Sequence, residues 1–195
     1  MRRIAVGISG ASGAIYGIRF LELLRGLPAV ESHLIVSEAA KRTIAEETDY
    51  SLRNVEALAT HRYGNKDIGA SLASGSFKTD GMVVVPCSIK TAAAIAHCLA
   101  DTLIARAADV TLKEGRPLIL VVRESPLHLG HLRVLTALAE MGAVLLPPMP
   151  AFYNRPKQID DLVIHTLARV LDRLGLPHTL VPEWQGTAPP SRERE

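Results

Sequence analysis

Three stretches of the chain gather glycines, hydroxyls and cations at spacings that suit an anionic ligand. Gly7-Ile8-Ser9-Gly10-Ala11-Ser12-Gly13 follows a short apolar run and precedes a helical pattern. Small residues let a phosphate or ring approach the backbone there, and the N–H groups that open a helix favour an anion. The spacing is G-x-x-G-x-x-G, not the G-x-G-x-x-G of the dinucleotide fingerprint. The second strand ends in Val36-Ser37, without the acid that would hold an adenosine ribose. A tight strand-to-helix turn needing glycine only for packing is the competing reading; two hydroxyls that packing does not need favour binding. Pro86-Cys87-Ser88-Ile89-Lys90-Thr91 offers hydroxyls and an ammonium at another helix start. An ordinary capped helix beside a solvated lysine fits that stretch equally well. Arg123-Glu124 ends a further apolar run, where a guanidinium fork meets either a phosphate or ring edge, or a neighbouring acid such as Glu124 or Asp109. Together the three stretches point to a phosphorylated, planar ligand.

Other reactive residues are less telling. His128 and His131 lack a third ligand at metal spacing. Cys87 has no histidine near it in sequence and reads as a buried thiol. Glu46-Glu47-Thr48-Asp49 is either a solvated helix end or the source of one carboxylate that faces the ligand and manages a proton.

The elements that must position these residues alternate. Apolar runs at Ile4–Ile8, His33–Val36, Gly81–Val85 and Leu118–Val122 read as strands, the third stopped by Pro86, with Ala143–Leu146 a further apolar run. Helical patterns cover Ala14–Leu24, Glu38–Glu46 (capped by Ser37), Ser51–Leu58, Thr91–His97, Asp101–Lys113, His131–Met141 and Ile159–Leu174. Thr60–Thr79 reads as a polar, mobile loop, and Pro147, Pro148 and Pro150 impose a rigid turn. The expectation is a single α/β domain over residues 1–186, with a parallel sheet covered on both faces and a disordered tail at 187–195. In such sheets ligands lie beyond the carboxyl ends of the strands, where all three stretches fall.

Composition narrows the function. The 195 residues are 48% hydrophobic and 22% charged, which excludes intrinsic disorder. Aromatic residues make up only 4% and the net charge is +2, a poor basis for stacking or neutralising nucleic acid. Two cysteines make no disulfide framework. The start, Met1-Arg2-Arg3, leads into no apolar signal region, and no eighteen-residue apolar run exists, so a cytoplasmic protein without a membrane span is expected.

Gly7–Gly13, Glu47-Thr48-Asp49, Pro86–Thr91, Arg106-Ala107-Ala108-Asp109-Val110 and Pro147-Pro148-Met149-Pro150-Ala151-Phe152-Tyr153 together resemble the flavin prenyltransferases, the UbiX proteins. The match runs in order from about residue 3 to 186. The resemblance implies a Rossmann-like or flavodoxin-like three-layer sandwich, assembled as a homo-oligomer, commonly a dodecamer, with active sites at subunit junctions. It implies metal-independent transfer of the dimethylallyl group of dimethylallyl phosphate to N5 and C6 of reduced FMN, giving prenylated FMN for UbiD-type decarboxylases, as in ubiquinone biosynthesis. Carried over by motif, FMN meets Gly10, Ala11, Ser12, Ser37, Ser88, Ile89, Lys90, Thr91 and Arg123. Dimethylallyl phosphate meets Lys113, Glu124, Tyr153 and Arg169, with Trp184 as a closing aromatic. Ser12 and Glu47 stand beside the reacting flavin, where Glu47 through Ser12, or the retained phosphate, takes the proton lost on ring closure. One departure is Glu114-Gly115-Arg116, with glycine where many relatives carry arginine. The rivals are an FMN-dependent cysteine decarboxylase-like enzyme, disfavoured by Pro86–Thr91 in place of that group's motif, and a non-catalytic flavin carrier, which needs no second phosphate site.

Overall fold

Alternation along the strands decides the layers. On the first strand Ile4, Val6 and Ile8 turn to one side and Ala5 to the other; Val83 and Val85 oppose Met82 and Val84, and Ile119 and Val121 oppose Leu118, Leu120 and Val122. Each set joins a separate buried cluster, so apolar side chains must be covered on both faces. In the computed structural model, which describes residues 1–182 and Gly186, two helical layers do this. In chain order the elements are β1 (Arg2–Ile8), α1 (Ala14–Arg25), β2 (Val30–Val36), α2 (Glu38–Glu47), α3 (Leu52–Glu56), β3 (His61–Gly64), β4 (Gly81–Cys87), α4 (Ile89–Ala96), α5 (Leu103–Lys113), β5 (Leu118–Val122), α6 (Leu129–Glu140), β6 (Val144–Leu145) and α7 (Ile159–Leu174). Phe20 and Leu21 of α1, Ile44 of α2 and Leu167 and Leu171 of α7 fill one cluster. Ile95 of α4, Leu103 and Ile104 of α5 and Leu138 of α6 fill the other.

All six strands are parallel, in the order β3-β2-β1-β4-β5-β6. This is the Rossmann order, and it reverses between β1 and β4, where the chain leaves a crevice beyond the carboxyl ends. The α/β, three-layer, parallel-sheet expectation holds in this form.

Three readings need correction. Pro86 does not stop β4; the strand continues to Cys87 through a register shift between Val84 and Cys87, which accommodates a residue with no amide donor. The stretch 60–79 contains edge strand β3, paired with β2 from His33↔His61 to Val36↔Gly64. It is also pinned beyond that strand: the Arg106 Nε–H donates to the Ala73 carbonyl (3.2 Å), and the Arg116 guanidinium donates to the carbonyls of Gly75 (2.8 Å) and Phe77 (3.1 Å). Finally, α4 and α6 start two residues earlier than their apolar spacing indicated, because Ser88 and His128 cap them. The expected tail 187–195 lies outside the described residues.

Candidate active site

The loops after β1 and β4 meet across the point where the strand order reverses, and one side chain joins them. Ser9, fully buried, donates its hydroxyl to the Pro86 carbonyl (3.0 Å) and accepts from the Ser88 amide (2.7 Å). Its own amide also donates to the Pro86 carbonyl at 3.1 Å. Of the two hydroxyls in the glycine loop, this one is therefore structural. Ser12 is the exposed one. Gly10 is required by close approach: a Cβ there would sit 2.3 Å from the Ala39 Cβ, so the loop packs directly on the first turn of α2.

Within the acidic cluster, Glu47 is the carboxylate turned to the glycine loop, outside the residues that line the cavity described below. From the last position of α2 its carboxylate reaches the start of α1, accepting from the amides of Gly13 (2.7 Å) and Ala14 (3.1 Å). Partial burial alone would raise its pKa, but the Ala14 and Gly13 amides, the Ser12 hydroxyl and the Arg123 charge outweigh that and hold it below the ordinary 4.5. The anion at the N-terminus of α1 is thus the protein's own. The open helix start is α4, where Ser88 Oγ accepts from the Thr91 amide (3.3 Å) while the Ile89 and Lys90 amides, at the first helical positions, have no intrahelical acceptor.

Around that helix start lies a cavity of about 560 Å³. Gly10, Ala11, Ser12, Ser37, Ser88, Ile89, Lys90, Thr91, Arg123 and Glu124 all line it, drawn from the loops after β1, β2, β4 and β5. Ser37 is held there as the cap of α2, accepting from the Ala40 amide at 3.1 Å. Among the described residues Arg123 makes no ion pair: Asp109 is taken by Arg106 (2.8 Å), and Glu124 accepts from the Ser125 amide (3.1 Å). Arg123 lines the cavity, its charge acting on Glu47 and its amide donating to the Cys87 carbonyl (3.0 Å).

The remaining expected residues do not line this cavity in one chain. Lys113 ends α5 and pairs with Glu114, beside Gly75 and just before β5, at the end of the strands away from the cavity. The neighbouring Gly115 has φ +65°, a backbone at which the arginine that the resemblance led one to expect would be strained. Tyr153 is exposed, its hydroxyl 2.9 Å from His165 Nε2 on α7, and Arg169 pairs with Asp172 at 2.7 Å on the same helix. Trp184 lies outside the described residues. Cys87 is fully buried, and burial pushes its thiol pKa up to about 12, so it is no nucleophile.

Sequence reasoning missed Asn65. It follows β3, lines the cavity, and caps α5 by accepting from the Leu103 amide through its carbonyl (2.8 Å) and from the Ile104 amide through Oδ1 (3.1 Å). The rule that ligand residues follow strands would have found it had the polar strand before it been recognised.

A profile of the Flavoprotein family matches residues 1–182. Flavin prenyltransferase UbiX of Escherichia coli (strain K12) is 57% identical over 188 residues, 95% of this chain and 100% of that protein. The crystal structure of AnUbiX (PadA1) in complex with FMN and dimethylallyl pyrophosphate superposes with a TM-score of 0.93 at 48% identity, over 96% of this chain and 99% of that one. A dodecameric FMN-dependent UbiX-like decarboxylase from Escherichia coli O157:H7 does so with a TM-score of 0.92 at 53% identity, over 94% of this chain and 100% of that one.

Proposed function

The chain belongs to the flavin prenyltransferases, the UbiX proteins, and from that membership we propose that it joins the dimethylallyl group of dimethylallyl phosphate to N5 and C6 of reduced FMN. The observation that carries this reading is the convergence of Gly10, Ser12, Ser37, Ser88 to Thr91 and Arg123 on one cavity of about 560 Å³. Its donor set fits FMN: the amides opening α4 and the Lys90 ammonium suit a phosphate, and the Arg123 fork suits a ring edge. When bound, reduced FMN supplies the nucleophilic nitrogen and the ring carbon between which the prenyl group closes a new ring.

The chain's own residues hold and discharge the second substrate. Loss of the allylic phosphate builds negative charge, which Lys113, Arg169 and the Tyr153 hydroxyl stabilise, with Glu124 at the cavity rim. Because Lys113, Tyr153 and Arg169 lie off the cavity in a single chain, they act from a neighbouring copy in a homo-oligomer, a dodecamer as in the E. coli O157:H7 relative. Exposed Leu129, Leu132, Phe152 and Ile159 supply the apolar surface for such an assembly. Ser12 relays the proton released on ring closure to Glu47, which its hydrogen bonds keep in the ionised form. The product goes to a UbiD-type decarboxylase in the cytoplasm; among the described residues no helix is long and apolar enough to cross a membrane. The working domain in this reading is residues 1–186. Neither a cysteine decarboxylase nor a flavin carrier is favoured by any feature of the cavity.

Purified protein given reduced FMN and dimethylallyl phosphate is expected to yield a flavin heavier by one prenyl group in mass spectrometry. Unmodified FMN with both ligands bound overturns the reading. Tyr153→Phe or Arg169→Ala is expected to raise KM for dimethylallyl phosphate while FMN retention holds; equal loss of both puts the second site elsewhere.

A further inference from the structure

At the outer edge of the sheet, away from the cavity, three metal-ligating side chains converge. His33 of β2 and His61 of β3 are register partners, so their rings stand on the same face, stacked with centroids 4.6 Å apart. Glu31, two residues before His33, projects to the same side. One ligand atom from each of the three lies within 4.8 Å of the others. His33 is 2% exposed, and its Nε2 has no hydrogen-bond partner, standing 3.9 Å from Glu31 Oε2. A buried polar atom left unpartnered in this way demands an explanation.

We propose that Glu31, His33 and His61 form a binding site for a divalent transition ion of the zinc class, with water completing a tetrahedron. Two imidazoles and a carboxylate are a donor set such ions take. The surroundings match what a ligating histidine needs. His33 Nδ1 lies 2.9 Å from the Tyr63 hydroxyl, which also accepts from Ser71 Oγ at 3.2 Å. With the Nδ1–H donated to Tyr63, the lone pair is on Nε2, the ring nitrogen 3.9 Å from Glu31, and the outer partner fixes ring and tautomer. Burial, followed by the His61 ring, lowers the His33 pKa to about 4, so the imidazole is neutral and free to ligate near neutral pH. The competitor is Arg3, whose Nε–H donates to Glu31 at 3.2 Å. That pair is partly exposed, with side chains 43% and 23% accessible, and exposed pairs contribute little. A bound ion would cross-link β3 to β2 just before Asn65 and so steady the cavity wall; it takes no part in prenyl transfer.

Untagged full-length protein, stripped with chelator, is titrated with cobalt(II) chloride and followed by its visible absorption, then back-titrated with zinc(II). The expected result is saturation near about one ion per chain with a tetrahedral band, displaced by zinc and accompanied by a rise in Tm. Exposed His61→Ala and Glu31→Gln are each expected to weaken binding at least about tenfold, as is Tyr63→Phe, while the folded circular dichroism spectrum persists. His128→Ala, which removes the other histidine pair, should change nothing. No saturable band, or binding undiminished in His61→Ala, or binding lost in His128→Ala overturns the assignment.

Discussion

Glu47 does two things with one carboxylate: it caps α1 through the Gly13 and Ala14 amides and stands beside Ser12. Glu47→Gln keeps an acceptor but removes the charge, so the cost to stability at pH 7 is expected to be about 0.3–1 kcal/mol, read by urea unfolding. The folded pKa lies below 4.5, so this stabilisation is present above that value and fades as pH falls through the lower folded value. The wild-type protein and the Glu47→Gln variant should therefore converge in acid. Prenyl transfer in the variant should fall about 10²-fold with flavin still bound, measured by single-turnover product formation. Ser9 tells the complementary story. Ser9→Ala strands the Ser88 amide, while the Pro86 carbonyl keeps only the Ser9 amide, and is expected to cost about 1–3 kcal/mol in the same assay. From sequence Ser9 and Ser12 were equivalent hydroxyls in one loop; which faces inward depends on the β4 loop, 77 residues away in the chain for Pro86, and no local pattern encodes that.

At the level of elements, the long helices and apolar strands were legible because each carries one strong period. The edge strand β3 was not: His61-Arg62-Tyr63-Gly64 is short and polar, as an edge facing solvent tolerates, and its pairing with β2 is what makes it a strand. The site inherits this split. Every residue expected to contact FMN follows a strand that could be read, whereas Asn65 follows one that could not. Packing between the glycine loop and α2 gives a further test. Gly10→Ala puts a methyl 2.3 Å from the Ala39 Cβ, so α2 must shift and carry Ser37 with it. The expected outcome is about 1–3 kcal/mol of destabilisation together with weaker flavin binding, by denaturant midpoint and flavin fluorescence.

On the scale of the whole molecule, motifs in sequence order conceal which copy of the chain supplies each residue. Lys113 and Arg123 are ten positions apart, yet β5 runs between them and leaves them at opposite ends of the strands. If a neighbouring copy completes each site, co-assembled Lys113→Ala and Arg123→Ala chains, each inactive alone, should recover about a quarter of wild-type activity, since a random mixture pairs two intact halves at that frequency. Activity near zero in the mixture would return Lys113 to its own chain. The buried Ser9 hydroxyl has a last consequence for traffic through the site. Many two-sided ligand crevices open by swinging one half of the molecule away from the other. Here the two halves of the sheet are riveted where they would have to part, so a bulky product leaves only when something outside the sheet yields. In the proposed assembly, turnover is then expected to be paced by neighbouring copies and loops, not by a hinge within the domain.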